Sequence, residues 1–226
     1  VADSLSGLVA AQFHAPGAPF IMGGVLSTMD MASTIYTYGS PEFSLLEAAL
    51  TDLSHFYKLP MFSTAGCSDS KIFDEQAAAE SMMSIMASAL SGANLIHDVG
   101  YLENGLIGSY EMLVASDEFI AMAKHFVKGV EVNPETLAVD VIDKVGPGGN
   151  FIAEAHTDRH FREVEWFPKL MDRQNLANWE LSGSKPMRQR VNEQVKEILS
   201  THKVEPLSNE VEKAIEKIFK KYGEKT

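Results

Sequence analysis

The chain has 226 residues, 45% of them apolar and 22% charged; this is enough to bury a core, and it excludes a disordered tail, a collagen-like repeat and a disulfide-stapled miniprotein. Lys and Arg number 19 against 31 Asp and Glu, a formal net charge of -12, so broad nucleic-acid binding is not expected, because an acidic surface repels phosphate backbones. One cysteine, Cys67, cannot form an internal disulfide and points to a reducing, cytoplasmic setting.

The chain opens on Val1-Ala2-Asp3, without the basic and apolar regions of a signal peptide. The missing Met points to a chain that is processed or cut from something longer. Residues 4–13 read as the end of a helix, broken by Pro16, Gly17 and Pro19. Residues 19–26 form an apolar run of strand length. Residues 41–57 carry clear helix signals: Ser40 to cap, Pro41 at the first position and Glu42 in the first turn. Leu46, Leu50, Leu53 and Tyr57 follow at helical spacing. Residues 59–65 are a second strand. Asp74 starts a long helix with Ala78, Met82, Ile85, Met86 and Ala89 inward, and Gly92 ends it. Residues 93–99 are a third strand. Strands alternating with helices imply parallel pairing and an α/β fold.

Beyond residue 105 the pattern changes. Residues 107–128 and 134–145 read as helices, 151–155 as a weak fourth strand, and 158–178, 186–202 and 207–222 as further helices. No uncharged apolar run reaches about 18 residues, so no membrane-spanning helix is expected. Three strong strands and a weak one do not close an eight-stranded barrel, which typically takes about 250 residues. The alternatives are a small open sheet and the second half of a barrel.

Polar residues recur after each strand: Ser27, Thr28 and Asp30; Cys67, Ser68, Asp69 and Lys71; His97, Asp98, Tyr101 and Glu103. In parallel α/β folds the site lies at the carboxyl ends of the strands. Alternation along a strand would send His97 and Asp98 to opposite faces, so they are not expected to act as a pair. The following helix could lower the pKa of Cys67, but a lone cysteine is more often an inert buried group. His156 and His160, with Glu154 and Glu163 nearby, have a spacing that suits a metal, yet lack the order of a zinc protease motif, so no metal is expected. The turn Gly146-Pro147-Gly148-Gly149 lacks the strand that a phosphate loop needs, and no GxSxG elbow is present.

Several segments, in order, resemble the trimethylamine methyltransferase family: Tyr38-Gly39-Ser40-Pro41-Glu42, Gly66 to Lys71 with Asp74 and Gln76, Ser91-Gly92-Ala93-Asn94, His156-Thr157, His160-Phe161-Arg162-Glu163 and Trp179. The resemblance implies a (β/α)8 TIM barrel about twice this length. It makes residues 1–157 the second half of the barrel and residues 158–226 a C-terminal helical segment. It also implies methyl transfer from a methylated amine to the Co(I) of a cognate corrinoid protein, with no cofactor bound directly by this chain.

Cys67 falls where pyrrolysine-containing members of that family carry pyrrolysine. A neutral amine is a poor methyl donor without such an imine, whereas a quaternary ammonium leaves as a neutral tertiary amine. The expected substrate is therefore a quaternary amine such as glycine betaine, with trimethylamine as the alternative. A non-catalytic binding module for small cationic solutes stands as a further reading. On this reading Cys67, Asp69 and Glu103 are the catalytic candidates. His97, Tyr101, Tyr110 and Lys71 are the substrate-binding candidates, and Phe62 is another aromatic wall for the cation. A homo-oligomer is one way for half a barrel to complete itself.

Overall fold

A computed structural model describes residues 1–223. Helix α1 (Ala2–His14) leads to strand β1 (Met22–Gly23), helix α2 (Pro41–Phe56), strand β2 (Met61–Thr64), helix α3 (Glu75–Ser91) and strand β3 (Leu95–His97). The strands form a parallel sheet in the order β1-β2-β3, with Met22 opposite Met61 and Thr64 opposite His97. The α/β alternation is present, as are the helix signals. Ser40 Oγ accepts the Phe43 N–H at 3.2 Å, and Asp74 Oδ1 accepts the Ala77 N–H at 2.9 Å. Gly92 closes α3 at φ 82°. Among the described residues no closed barrel is formed.

The helices cover one face of the sheet, and their inner faces are more polar than periodicity predicts. On α2 the buried residues are Phe43, Ser44, Glu47, Leu50, Thr51 and Ser54, while Tyr57 lies past the helix end, 38% exposed. On α3 the buried line runs through Ala77, Ser81, Ser84, Ile85 and Ser88, one position away from the methionine stripe. Small serines let the helix approach the sheet closely. Their hydroxyls are satisfied in place: Ser84 Oγ accepts the Gly66 N–H at 3.0 Å, and Ser88 pairs with Ser63 at 3.3 Å.

Four expectations are corrected. Residues 107–128 are not one helix: β4 (Tyr101–Leu102) and β5 (Ile107–Gly108) form an antiparallel hairpin before α4 (Tyr110–Val127). Glu103 and Asn104 have φ of 47° and 55°, and the Gly105 N–H bonds Leu102 O at 3.1 Å, a tight turn with both central residues left-handed. Residues 151–155 are not a strand. The Asn150 carboxamide captures the Ile152 N–H at 2.8 Å and starts a turn. The turn leads into α7 (Ala155–Val164). Residues 134–145 are two short helices, α5 (Pro134–Leu137) and α6 (Val139–Val145), split where Ala138 turns left-handed at φ 47°. Residues 158–178 are not one helix either: Pro168 interrupts them, and α8 begins only at residue 176 (Leu176–Leu181). Helices α9 (Met187–Thr201) and α10 (Asn209–Tyr222) form as expected.

The main core lies between α3, α4 and α9, where Phe73, Ile85, Leu102, Met112, Phe119 and Val191 pack together. Glu118 of α4 ties the chain after α7 to this core. Its carboxylate accepts the N–H groups of Lys169, Leu170 and Met171 at 2.9–3.1 Å. No described helix is long and apolar enough to cross a membrane.

Candidate active site

The loops that follow β1, β2 and β3 gather at the carboxyl end of the sheet, where a parallel fold exposes strand-end side chains. Along β2 the face alternates: Met61 and Ser63 point to the helices, Phe62 and Thr64 to the other side. His97 stands opposite Thr64 and shares its face. Its ring stacks on Phe62 with centroids 4.2 Å apart and planes 11° from parallel. Its Nε2 lies 3.2 Å from Thr64 Oγ1. On this uncovered face lies a hollow of about 490 Å³, lined by Ile21, Gly23, Gly24, Val25, Phe62, Leu95 and His97. None of the lining residues is a lysine or an arginine.

His97 and Asp98 do form a pair, contrary to the alternation argument. Nδ1 of His97 is 2.6 Å from Asp98 Oδ1. Strand alternation ends at His97, because Asp98 has φ 74°; this left-handed turn brings its carboxylate back onto the imidazole. The pair leaves Nε2 of His97 directed to Thr64, so both ring nitrogens have partners and the ring is fixed in orientation.

Cys67 is buried, and its Sγ donates to Asp98 O at 3.0 Å. Burial pushes its thiol up to about 12, with further upward pressure from the Asp98 and Asp69 charges. At neutral pH it is an uncharged donor and not a thiolate. Gly66 precedes it at φ 83°, where a Cβ would stand 2.5 Å from Val99 Cγ1; only glycine gives this turn into the cysteine.

Asp69 works as a clamp between loops. Its two carboxylate oxygens accept the N–H groups of Tyr38 and Gly39 at 2.8 and 3.0 Å. Glu80 of α3 holds the clamp in turn. One of its oxygens accepts Ser68 Oγ–H at 2.6 Å and the Asp69 N–H at 2.9 Å. Glu47 of α2 does the same on the other side, binding the N–H groups of Leu26 and Thr64 and the hydroxyl of Ser63 at 3.0–3.2 Å. Burial raises the Glu47 pKa, and these hydrogen bonds oppose the rise.

The clamp fixes the backbone of the Tyr38 loop against the loop that follows β2. The Tyr38 ring meets Tyr36 edge-on at 5.4 Å and Phe43 at 5.1 Å. Burial, then the Asp98 charge, push its hydroxyl up to about 12. Tyr38 and Cys67 thus both register the negative field of Asp98, a field that favours a cation. Sequence reasoning gave no role to Tyr36 or Tyr38. The signal was available, since two tyrosines one residue apart follow the first strand in the stretch where functional loops are expected.

The other sequence candidates lie elsewhere. Tyr101 opens the β4–β5 hairpin, and its carbonyl accepts the Ser68 N–H at 3.1 Å. Glu103 is the left-handed turn residue of that hairpin, with its N–H on Ser70 O at 2.9 Å. Lys71 and Tyr110 line a separate hollow of about 690 Å³ together with Phe73, Leu102 and Arg188. The structure therefore gathers Cys67, Asp69, His97 and Phe62 at the sheet end. Tyr101 and Glu103 are joined to it through backbone bonds, and Lys71 and Tyr110 stand apart from the His97 hollow.

The model of the trimethylamine methyltransferase (MTTB) family matches residues 1–225. Trimethylamine methyltransferase MttB2 of Methanosarcina mazei is 40% identical over 220 residues, 97% of this chain and 44% of that protein. Trimethylamine methyltransferase MttB of Desulfitobacterium hafniense is 39% identical over 92% of this chain and 42% of its own length. A glycine betaine methyltransferase of Desulfitobacterium hafniense is 39% identical over 79% of this chain and 37% of its own length. The chain thus spans less than half the length of these relatives. A family match over nearly its whole length makes the chain a member of the trimethylamine methyltransferase family.

Proposed function

We propose that this chain forms part of a methyltransferase site that takes a methyl group from a quaternary amine, with glycine betaine as the expected substrate, and delivers it to a corrinoid carried by a partner protein. The observation that carries this reading is the stacked Phe62–His97 pair on an open hollow without lysine or arginine, beside a carboxylate whose field reaches both Tyr38 and Cys67. Aromatic faces and a negative field hold a permanently charged nitrogen by cation–π and Coulombic attraction.

A corrinoid on the partner would supply the two-electron nucleophile that accepts the methyl group, and the carbon–nitrogen electron pair would leave on nitrogen as a neutral tertiary amine. The residues of this chain bind and orient. His97, fixed by Asp98 and Thr64, presents its flat ring with Phe62 to the cation. Asp69 and Glu80 hold the Tyr38 loop in place for in-line presentation of one methyl. Cys67, an uncharged thiol here, offers no imine to activate a neutral amine, which favours a donor that is cationic already. Asp69 and Glu103 act through loop geometry.

A second reading, trimethylamine as substrate, is favoured by the names of two relatives at 39–40% identity. A substrate screen of the intact protein with Co(I) corrinoid protein, read by cobalt spectra, separates the two. Turnover of glycine betaine with trimethylamine ignored is the expected result; the reverse would overturn the quaternary-amine reading. Binding without methyl transfer would instead mark a solute-binding module. Replacing His97 with Ala is expected to weaken betaine binding about two- to fivefold, the scale of one lost aromatic–cation contact of about 0.5–1 kcal/mol at an open site.

A further inference from the structure

We infer that Glu135, His156 and His160 form a binding site for a divalent d-block cation of the zinc type, away from the sheet-end hollow. His156 and His160 stand four residues apart on α7, so one turn of helix puts both imidazoles on the same face. Their rings lie 4.5 Å apart. The third donor comes from α5: Glu135 Oε1 is 2.9 Å from His160 Nε2 and 3.8 Å from His156 Nε2. All three ligand atoms lie within 4.8 Å of one another.

Those separations bracket what a tetrahedral ion requires. Donors about 2.0–2.1 Å from a central zinc sit about 3.4 Å from each other. Two imidazoles and one carboxylate are a known type of donor set for zinc, and they leave a fourth position open. Glu135 offers a further oxygen: its backbone carbonyl is 2.8 Å from His156 Nε2. Binding requires each neutral imidazole to carry its proton on Nδ1, which frees the Nε2 lone pair for the ion.

One feature opposes the ion. Arg159 Nη2 lies 3.0 Å from the same Oε1. Its side chain is exposed, so it can swing to solvent or take the second carboxylate oxygen. Neither Glu154 nor Glu163, the acids adjacent in sequence, is part of the cluster. The carboxylate arrives from 21 residues before His156, across the turn at Asn150. An ion here would pin the four-residue α5 to α7 and close the intervening segment into a loop.

The test uses the intact protein, stripped of metal and then titrated with Co²⁺ as a spectroscopic probe and with Zn²⁺ for stoichiometry by mass spectrometry. The expected result is about one equivalent taken up, with visible Co²⁺ bands of a four-coordinate site. His156→Ala combined with His160→Ala should abolish both, and Glu135→Gln should weaken uptake by at least about tenfold, the effect of losing one ligand of three. Because the three residues lie at the surface, the variants should melt with the parent. If the double variant fails to fold, the parent titration still decides. No uptake by the parent, or equal uptake by the folded double variant, overturns the site and leaves the cluster as an ion pair.

Discussion

The sheet with α2, α3 and α4 and the segment after residue 128 handle charge and apolar surface in opposite ways. In the first region carboxylates go inside. Glu47 and Glu118 are 1% and 2% exposed, and each accepts backbone N–H groups from a chain segment far away in sequence. In the second region apolar groups stay outside: none of the described residues of α5, α6, α7, α8 or α10 is buried. The exceptions are helix α9, where Val191 and Val195 reach the main core, and Leu170, which joins that core from the segment after α7. The contrast teaches that apolar content alone does not place a residue inside. A carboxylate with three backbone donors is a better interior group than a valine on a helix with nothing to pack against.

The comparison can be broken most severely at Glu118. Replacement by Ala removes the acceptor for the Lys169, Leu170 and Met171 N–H groups in a buried setting. We expect a loss of about 3 kcal/mol in denaturant unfolding of the intact protein. A loss below about 1 kcal/mol would mean that these donors find water and that the carboxylate is not an organising group. A milder probe is Cys67. Its folded-state pKa lies above its ordinary value of 9.0, at about 12. Its contribution to stability is therefore fully present below about pH 9 and lost as pH rises toward 12, where the unfolded chain ionises first. Stability should fall across that window by at most about 1.4 kcal/mol per pH unit more than in Cys67→Ala; parallel profiles would place the thiol in contact with water. The smallest effect is expected on α10. Phe219→Ser should change stability by less than about 0.5 kcal/mol, the range of an exposed site. A larger loss in thermal melts would reveal a covering surface for that helix and bring the second region closer to the first.

Much of this architecture was legible in the residues. Ser40, Asp74 and Gly92 mark helix ends through local chemistry, and apolar runs of strand length mark the three parallel strands. What was not legible depended on contacts made far along the chain or on a single left-handed residue. Periodicity put Ala78, Met82, Ile85, Met86 and Ala89 on the inside of α3, and they do join or pack against the main core; the more deeply buried serine line beside them was not legible, because its hydroxyls meet Gly66, Ser63 and Ser116 across the interface. Alternation separated His97 from Asp98, whereas φ 74° at Asp98 joins them. Residues 101–108 read partly as helix, since nothing local but the Glu103-Asn104-Gly105 turn separates two short apolar stretches. Of the candidate residues, Cys67, Asp69 and His97 stand out from their places after or within strands, and the structure brings them near Phe62 at the sheet end. Tyr36 and Tyr38 were missed because their loop precedes a helix by only a few residues and is positioned by Asp69, a clamp from another loop.

The flanking strands of the parallel sheet carry a consequence of their own. Among the described residues β1 and β3 each bond to β2 alone, so each keeps one outward row of amide hydrogens and carbonyl oxygens without a ladder. Such rows are templates: they accept whatever extended segment arrives in register, and a foreign one as readily as a proper one. Within the described residues these two seams are the places where a further strand would be stitched on, and a proline introduced outward on β3 would blunt one of them.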